Sequence, residues 1–387
     1  MKLILATGIY PPDIGGPATY VRSLADELHR RGEEVIVVTY GAESPKTKVP
    51  TSAPRGGATA GRQRPNEPWK IVRISKAIPI IRWIRYAMAL RKYGTDANAV
   101  IAFSSISCGV PLMLARLKKP KKILRLGGDF FWERFTDRGG NLSLTDWYRR
   151  SSFLKKIMQK LLHSFDHIVF STRFQEELYE KSYKTLPTHS VIENAFPSKQ
   201  QLSQPMRLLR TGGLKGNAIR LLFLGRFVRF KNIPALLQGV SNLRRNGQCR
   251  VTLRIVGDGP EESHYRTLIR NLGISDCVTL HSSAHGEDKQ RLFAEHDLLI
   301  IPSLTEISPH VALEAVMSGL PVLLTTETGL SAALMRGMML RSMKSPEEIA
   351  SAILEAERTY GSLANTAQDQ LPQRGIQEVA DEFQKTL

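Results

Sequence analysis

Apolar positions along the chain alternate between two spacings. Short runs rich in Val, Ile and Leu recur at 3–6, 35–39, 71–74, 99–103, 123–126 and 167–170, and read as strands. Between them the apolar positions recur at helical spacing, at 18–31, closed by Gly32, and at 78–93. Alternation resumes at 221–224, 251–256, 278–280, 298–301 and 322–324, and helical stretches follow at 347–356 and 376–387. Strands separated by helices predict parallel pairing with right-handed crossovers. Two stretches break the pattern. Residues 41–68 are rich in Pro, Gly, Ser, Thr and Ala, with basic Lys46, Lys48, Arg55, Arg62 and Arg64. A loop of that length in a compact domain is functional or disordered, and disorder at rest is expected. Residues 199–218 read as an interdomain linker. The pattern predicts an α/β chain of two doubly wound domains, 1–198 and 219–360, facing across a cleft, with a helical tail at 361–387.

Length and composition agree with this division. At 387 residues and 42% hydrophobic content the chain can build two packed cores. Cys108, Cys249 and Cys277 form neither a close pair nor a metal-binding spacing, which points to a reducing, cytoplasmic compartment. No apolar run approaches the length of a membrane span, and the amino terminus is too short in apolar residues for a signal peptide. Charge is uneven: residues 1–200 hold 33 Lys+Arg against 17 Asp+Glu, whereas 201–387 hold 21 against 19. A basic half beside a near-neutral half suggests an anionic partner for the first.

Four segments could carry chemistry. The densest is PSLTEISPHVALEAVMSGLPVLLT, 302–325. Glu306 follows an apolar strand, and Glu314 lies inside an apolar-periodic helix closed by Gly319 and Pro321. Acidic groups at the carboxyl end of a strand in an open sheet are placed to meet a nucleotide or a sugar. Gly15 and Gly16 sit where the first strand turns into the first helix, whose amino terminus suits phosphate. Arg226 and Lys231 follow the strand at 221–224 and could clamp a diphosphate, with Arg229 as a spare cation. Gly257, Asp258 and Gly259 form a tight turn that could let backbone approach a base or ribose.

Taken in this order on a two-domain pattern, the segments YPPDIGGPATYVRSLADELHRRGEEVIVVT, LGRFVRFKN, IVGDGP and PSLTEISPHVALEAVMSGLPVLLT carry a resemblance. The chain resembles family 4 of the glycosyltransferases, retaining enzymes with the GT-B fold. The resemblance implies that Arg226 and Lys231 bind the diphosphate, Glu314 the ribose hydroxyls, and Glu306 the region of the transferred sugar and its phosphate. It implies that the backbone of Ser308, Pro309, His310 and Val311 contacts sugar and diphosphate, and that Gly15 and Gly16 face the donor across the cleft. Asp129 matches the aspartate of a His-Asp pair whose histidine is absent here, and joins Glu306, Arg226 and Lys231 in the expected catalytic set. Asn194 matches a family Asn-Gly pair in which Ala195 replaces the glycine.

The expected reaction moves a sugar from a nucleotide diphosphate sugar to a lipid-linked or saccharide acceptor, with retention, in bacterial-type surface polysaccharide, lipopolysaccharide or glycolipid synthesis. No D-x-D motif occurs, so no metal and no cofactor is expected, and cations take the metal's place. The stretch at 78–92 reads as a cationic amphipathic helix with Trp83 and Tyr86 suited to a headgroup boundary. It suggests peripheral binding to an anionic inner membrane surface, against the simpler reading that its apolar face packs on the sheet. A nucleotide-sugar 2-epimerase of the same fold is the alternative enzyme. A basic nucleic-acid binder is disfavoured, since no aromatic RNA-binding signature, zinc spacing or recognition-helix pattern occurs.

Overall fold

The computed structural model describes residues 1–13, 15–41, 67–75, 78–150, 153–196, 218–247, 250–367 and 371–387. The loop expected at 41–68 and the linker expected at 199–218 lie, apart from their end residues, outside these. Among the described residues there are two wholly parallel sheets. The first contains β1 (Lys2–Ala6), β2 (Glu34–Tyr40), β3 (Lys70–Ile74), β4 (Ala99–Ala102), β5 (Lys121–Leu126), β6 (His167–Phe170) and β7 (His189–Val191), in the order β3-β2-β1-β4-β5-β6-β7. The second contains β8 (Ile219–Leu224), β9 (Val251–Val256), β10 (Val278–His281), β11 (Leu298–Ile301), β12 (Val322–Thr325) and β13 (Met338–Arg341), in the order β10-β9-β8-β11-β12-β13.

Every strand run read from the sequence is present, and two further strands join them. Both extra strands lie at sheet edges, where apolar pressure is lowest: β7 is only HSV, and β13 is the methionine-rich MMLR, which lacks β-branched residues.

Both faces of each sheet are covered, which is why the strands read as continuous apolar runs. Side-chain alternation sends Ile4 and Ala6 to one face with Tyr86, Leu90, Leu112, Leu162 and Tyr179. Leu3 and Leu5 go to the other with Val21, Leu24, Leu28, Val379 and Phe383. The last two belong to the C-terminal helix Ile376–Lys385, so the end of the chain returns to the first domain and packs beside the helix Gly16–Arg30. Arg31 Nη1 fixes that return by donating to Asp381 (2.6 Å) and Gln384 (2.8 Å). The stretch read as a tail from 361 is therefore divided. The helix Tyr360–Thr366 completes the second core with Tyr360 and Ala364, and only the last helix crosses back.

In each sheet the strand order reverses beside the first strand of the domain: β1 lies between β2 and β4, and β8 between β9 and β11. Crevices at such reversals, outside the carboxyl ends of the strands, are where open α/β sheets bind ligands. The segments that follow β1, β5, β8 and β11 supply the residues described next.

Candidate active site

On the second domain, β8 is followed by Gly225–Arg226–Phe227 and the short turn Arg229–Lys231. Lys231 Nζ donates to Glu306 Oε1 at 2.5 Å, and Ser303 Oγ donates to the same oxygen at 2.6 Å. Glu306 is buried after β11, and its chain is held by Glu306 N donating to Glu327 O (2.9 Å). Lys231 and Glu306 thus form one rigid, mostly desolvated pair. Arg226, by contrast, is exposed, and its side chain makes no hydrogen bond or ion pair among the described residues. Arg229 is not spare: its Nε donates to Glu261 Oε1 at 3.1 Å.

The helix His310–Met317 begins beside this pair, with Pro309 at its amino terminus and no side-chain cap over its first N–H groups. His310 and Val311 are partly buried there. Burial holds the His310 imidazole below its usual proton affinity, with Glu314 opposing the shift and Arg125 and Lys289 adding to it. Glu314, one turn on, is ion-paired with Lys289 from the helix Gly286–Glu295. Lys289 was not legible as a site residue, because nothing in the sequence shows that its helix faces Glu314.

Gly257 and Gly259 are required by the packing of the second domain itself. A Cβ at Gly257 would lie 1.9 Å from Gly225 O, and one at Gly259 2.4 Å from Phe227 O. Phe227 N donates to Asp258 O at 2.8 Å, and Asp258 Oδ2 accepts from Ser283 N at 3.1 Å. The glycines are needed so that this turn can lie against the Arg226 loop, and Asp258 ties the turn to the segment after β10. Their contact is with protein backbone.

The first domain forms the opposite wall. Gly15 and Gly16 start the helix Gly16–Arg30, which has no side-chain cap and no acidic residue in its first turn. Gly16 is exposed, with open space where a side chain would stand. Asn194 reaches across the cleft: its Nδ2 donates to Ser308 Oγ at 3.1 Å, while its Oδ1 accepts from Arg125. Buried Arg125 stacks its guanidinium 4.7 Å from the Tyr20 ring centroid. The first turn of the helix Leu144–Arg150 adds further ties, with Leu144 N donating to Thr305 Oγ1 (2.9 Å), Thr145 N to Glu327 Oε1 (2.8 Å), and Lys344 Nζ to Asp146 Oδ2 (3.1 Å).

Asp129, placed in the catalytic set on sequence, has a different position. It is 1% exposed and caps the helix Phe130–Asp137, its Oδ1 accepting from Trp132 N at 2.9 Å. Its Oδ2 accepts from Tyr148 OH at 2.6 Å and Tyr179 OH at 2.9 Å. With three donors satisfied by protein and almost no surface, it has nothing left to offer a substrate. Burial raises its proton affinity and the three donors oppose the rise. Glu133, four residues on, is the carboxylate that faces the cleft. It is partly buried and takes no hydrogen bond or ion pair among the described residues.

The structure therefore brings Arg226, Lys231, Glu306, Ser308 and His310 to one wall, with Glu314 behind them, and sets Gly15 and Gly16 on the first domain's side of the cleft. Among the described residues no cluster of three His, Cys, Asp or Glu is arranged to hold a metal ion.

Two parallel sheets, each reversing its strand order beside its first strand and facing each other across a cleft, make a two-domain GT-B fold. Residues 14–197 match the family described as Glycosyltransferase Family 4, and residues 218–358 match Glycosyl transferases group 1. The chain belongs to this family. It is similar to D-inositol 3-phosphate glycosyltransferase of an Arthrobacter species, 25% identical over 92% of this chain and 85% of the relative. It is also similar to alpha-monoglucosyldiacylglycerol synthase of Streptococcus pneumoniae, 23% identical over 92% of this chain and 78% of the relative. Among solved structures, sucrose-phosphate synthase from Thermosynechococcus elongatus superposes with a TM-score of 0.73 at 16% identity, covering 100% of this chain and 98% of that one. WaaG, a glycosyltransferase involved in lipopolysaccharide biosynthesis, superposes with a TM-score of 0.68 at 16% identity, covering 100% and 99%. Anabaena HepE in complex with UDP-glucose gives 0.69 at 16%, covering 100% of both.

Proposed function

We propose that this glycosyltransferase moves a sugar from a nucleoside-diphosphate sugar to a lipid-linked or saccharide acceptor, with retention and without a bound metal, in surface polysaccharide or glycolipid synthesis. The observation that carries the proposal is Arg226, exposed and unpaired among the described residues, beside the fixed Lys231–Glu306 pair and the uncapped helix at His310. In the reaction the bond from the acceptor oxygen to the anomeric carbon forms as the bond to the phosphate oxygen breaks. The electron pair leaves with the phosphate, which also takes the acceptor's proton. Negative charge therefore grows where Arg226, Lys231 and the helix amino terminus converge, and each such donor in a dry site contributes roughly 2–4 kcal/mol. Glu306 holds Lys231 in place and lies toward the positive charge developing on the sugar. Glu314 accepts from the ribose hydroxyls, exchanging its Lys289 contact for them. The UDP and UDP-glucose complexes of a structural neighbour support a nucleotide sugar as donor.

A lipid-side acceptor is supported by the outer surface of the first domain. The helix Pro79–Gly94 packs Tyr86, Ala87, Ala89 and Leu90 inward. Yet Ile78, Ile80, Ile84 and Met88 are 65%, 68%, 51% and 66% exposed, and Phe153, in the separate basic stretch at 149–160, is 72% exposed. Lys155 and Lys156 follow that phenylalanine. Exposed apolar side chains among cations fit an anionic bilayer surface, the inner face of the plasma membrane. Tyr86 is not part of this surface: it is fully buried and its OH donates to Val38 O (2.6 Å) and Thr7 O (3.0 Å). Trp83 is partly buried and turns its Nε1 inward. Among the described residues no helix is long and apolar enough to cross a membrane.

A panel of UDP-, GDP- and ADP-sugars tests the donor reading. One of the three should raise the melting temperature and be slowly hydrolysed; inertness toward all three would exclude it.

A further inference from the structure

Glu133 lies in the first turn of Phe130–Asp137 and reaches back over Gly128, where a Cβ would stand 2.7 Å from Glu133 Oε1. The same helix packs on the Arg229–Lys231 turn of the second domain, the rings of Trp132 and Phe230 lying 5.2 Å apart. Glu133 is thus on the first domain's wall, at the point where that wall meets the cations of the second. Burial raises the proton affinity of its carboxyl. Arg226 and Lys231 oppose the rise, and Asp129 and Asp137 add to it.

A carboxylate can only accept, and one partly withdrawn from water beside the cleft gains from a donor there. Glu133 has none among the described residues; only the charges of Arg226 and Lys231 offset its burial. A diphosphate bound to those cations takes up their charge and repels the carboxylate. The group that then satisfies Glu133 must be a neutral donor approaching from the open cleft, and a sugar or other polyol hydroxyl has that chemistry. We propose that Glu133 holds the acceptor by accepting a hydrogen bond, from the first-domain side of the cleft, from a hydroxyl beside the attacking one, whose own proton is left for the phosphate. This rests on the sugar-transfer reading above. It also explains a division of labour: Asp129 caps the helix, and the helix presents Glu133.

Water can stand in for the acceptor, donating one O–H to Glu133 and the other to the phosphate, so the test needs no knowledge of the natural one. Wild type and Glu133→Gln are compared for hydrolysis of whichever of UDP-, GDP- and ADP-glucose the wild type turns over fastest. The corresponding nucleoside diphosphate is titrated into both by calorimetry. Removing a charge-assisted hydrogen bond should slow hydrolysis roughly 10- to 100-fold. Nucleotide affinity should be unchanged or several-fold tighter, because a negative neighbour of the diphosphate is gone. The wild-type rate should also fall on the acid side as Glu133 is protonated, and that limb should vanish in the variant. Hydrolysis by Glu133→Gln equal to wild type at every pH would overturn the inference. So would loss of nucleotide affinity together with hydrolysis, which would make Glu133 part of the phosphate site or the fold. A wild type that neither binds nor hydrolyses any of the three probes would instead overturn the sugar-transfer reading, and this inference with it.

Discussion

Replacing Asp129 by alanine separates structure from chemistry in the first domain. The side chain is 1% exposed and satisfies Trp132 N, Tyr148 OH and Tyr179 OH. Truncation removes a helix cap, worth about 1 kcal/mol. It also strands buried hydroxyls at roughly 1–3 kcal/mol each. Tyr148 OH lies 3.2 Å from Tyr183 OH and can turn to it, so the hydroxyl left without a partner is that of Tyr179. A loss of about 2–4 kcal/mol follows for Asp129→Ala. Asp129→Asn keeps the cap and offers an amide to two hydroxyls that can rotate to accept, so about 1 kcal/mol is expected. The pH dependence has a definite sign. Burial holds the folded-state proton affinity of Asp129 above its ordinary value, so the folded state binds the proton more tightly. The stability this contributes is present below the ordinary carboxylate range and is lost as pH rises through the raised value. Wild type should therefore lose stability relative to Asp129→Asn over that window. Urea denaturation of the three proteins at a series of pH values reads both quantities. A stable Asp129→Ala protein with donor hydrolysis abolished would refute the structural role and return Asp129 to the catalytic set.

Other outcomes follow from single contacts. Glu314→Ala should weaken nucleoside-diphosphate binding roughly 10- to 100-fold in calorimetry, since a carboxylate to ribose hydroxyls is lost. Unchanged affinity would mean that Glu314 serves only Lys289. Phe383→Ala, on the helix that returns to the first domain, should cost about 3–5 kcal/mol in chemical denaturation, as for a fully buried aromatic. Ile80→Glu with Ile84→Glu should abolish co-sedimentation with anionic phosphatidylglycerol vesicles and leave hydrolysis of the soluble donor intact. Equal recovery of wild type with neutral and anionic vesicles would remove the membrane reading.

Much of this molecule was legible in the sequence because its strands are buried on both faces. Leu3–Ala6 and Leu298–Ile301 read as strands since neither alternate residue meets water. The edge strands His189–Val191 and Met338–Arg341 lacked that pressure and gave no signal. Site residues in the loop at the end of one strand were legible too, as with Arg226 and Lys231. What the sequence left hidden were contacts set by packing between distant elements. Lys289 meets Glu314 only because two helices flank β11. Gly257 and Gly259 read as ligand-facing, but serve a backbone contact with residues 225–227. Asp129 and Glu133 stand four residues apart on one helix start. Burial, which the sequence does not report, decides which of them is spent on the fold. Tyr86 makes the same point on the helix Pro79–Gly94, where one of the two aromatic side chains expected outside is core.

Arg226 offers the most direct test of the donor site, because its side chain makes no hydrogen bond or ion pair among the described residues. UDP, GDP and ADP are titrated into wild type and Arg226→Ala, with equal melting temperatures of the two unliganded proteins as the control. One nucleotide should bind wild type, and Arg226→Ala should bind it roughly 10- to 100-fold more weakly, the size of a lost charged hydrogen bond. Equal binding by both proteins, or no binding of any of the three by wild type, would contradict a diphosphate site at Arg226 and Lys231.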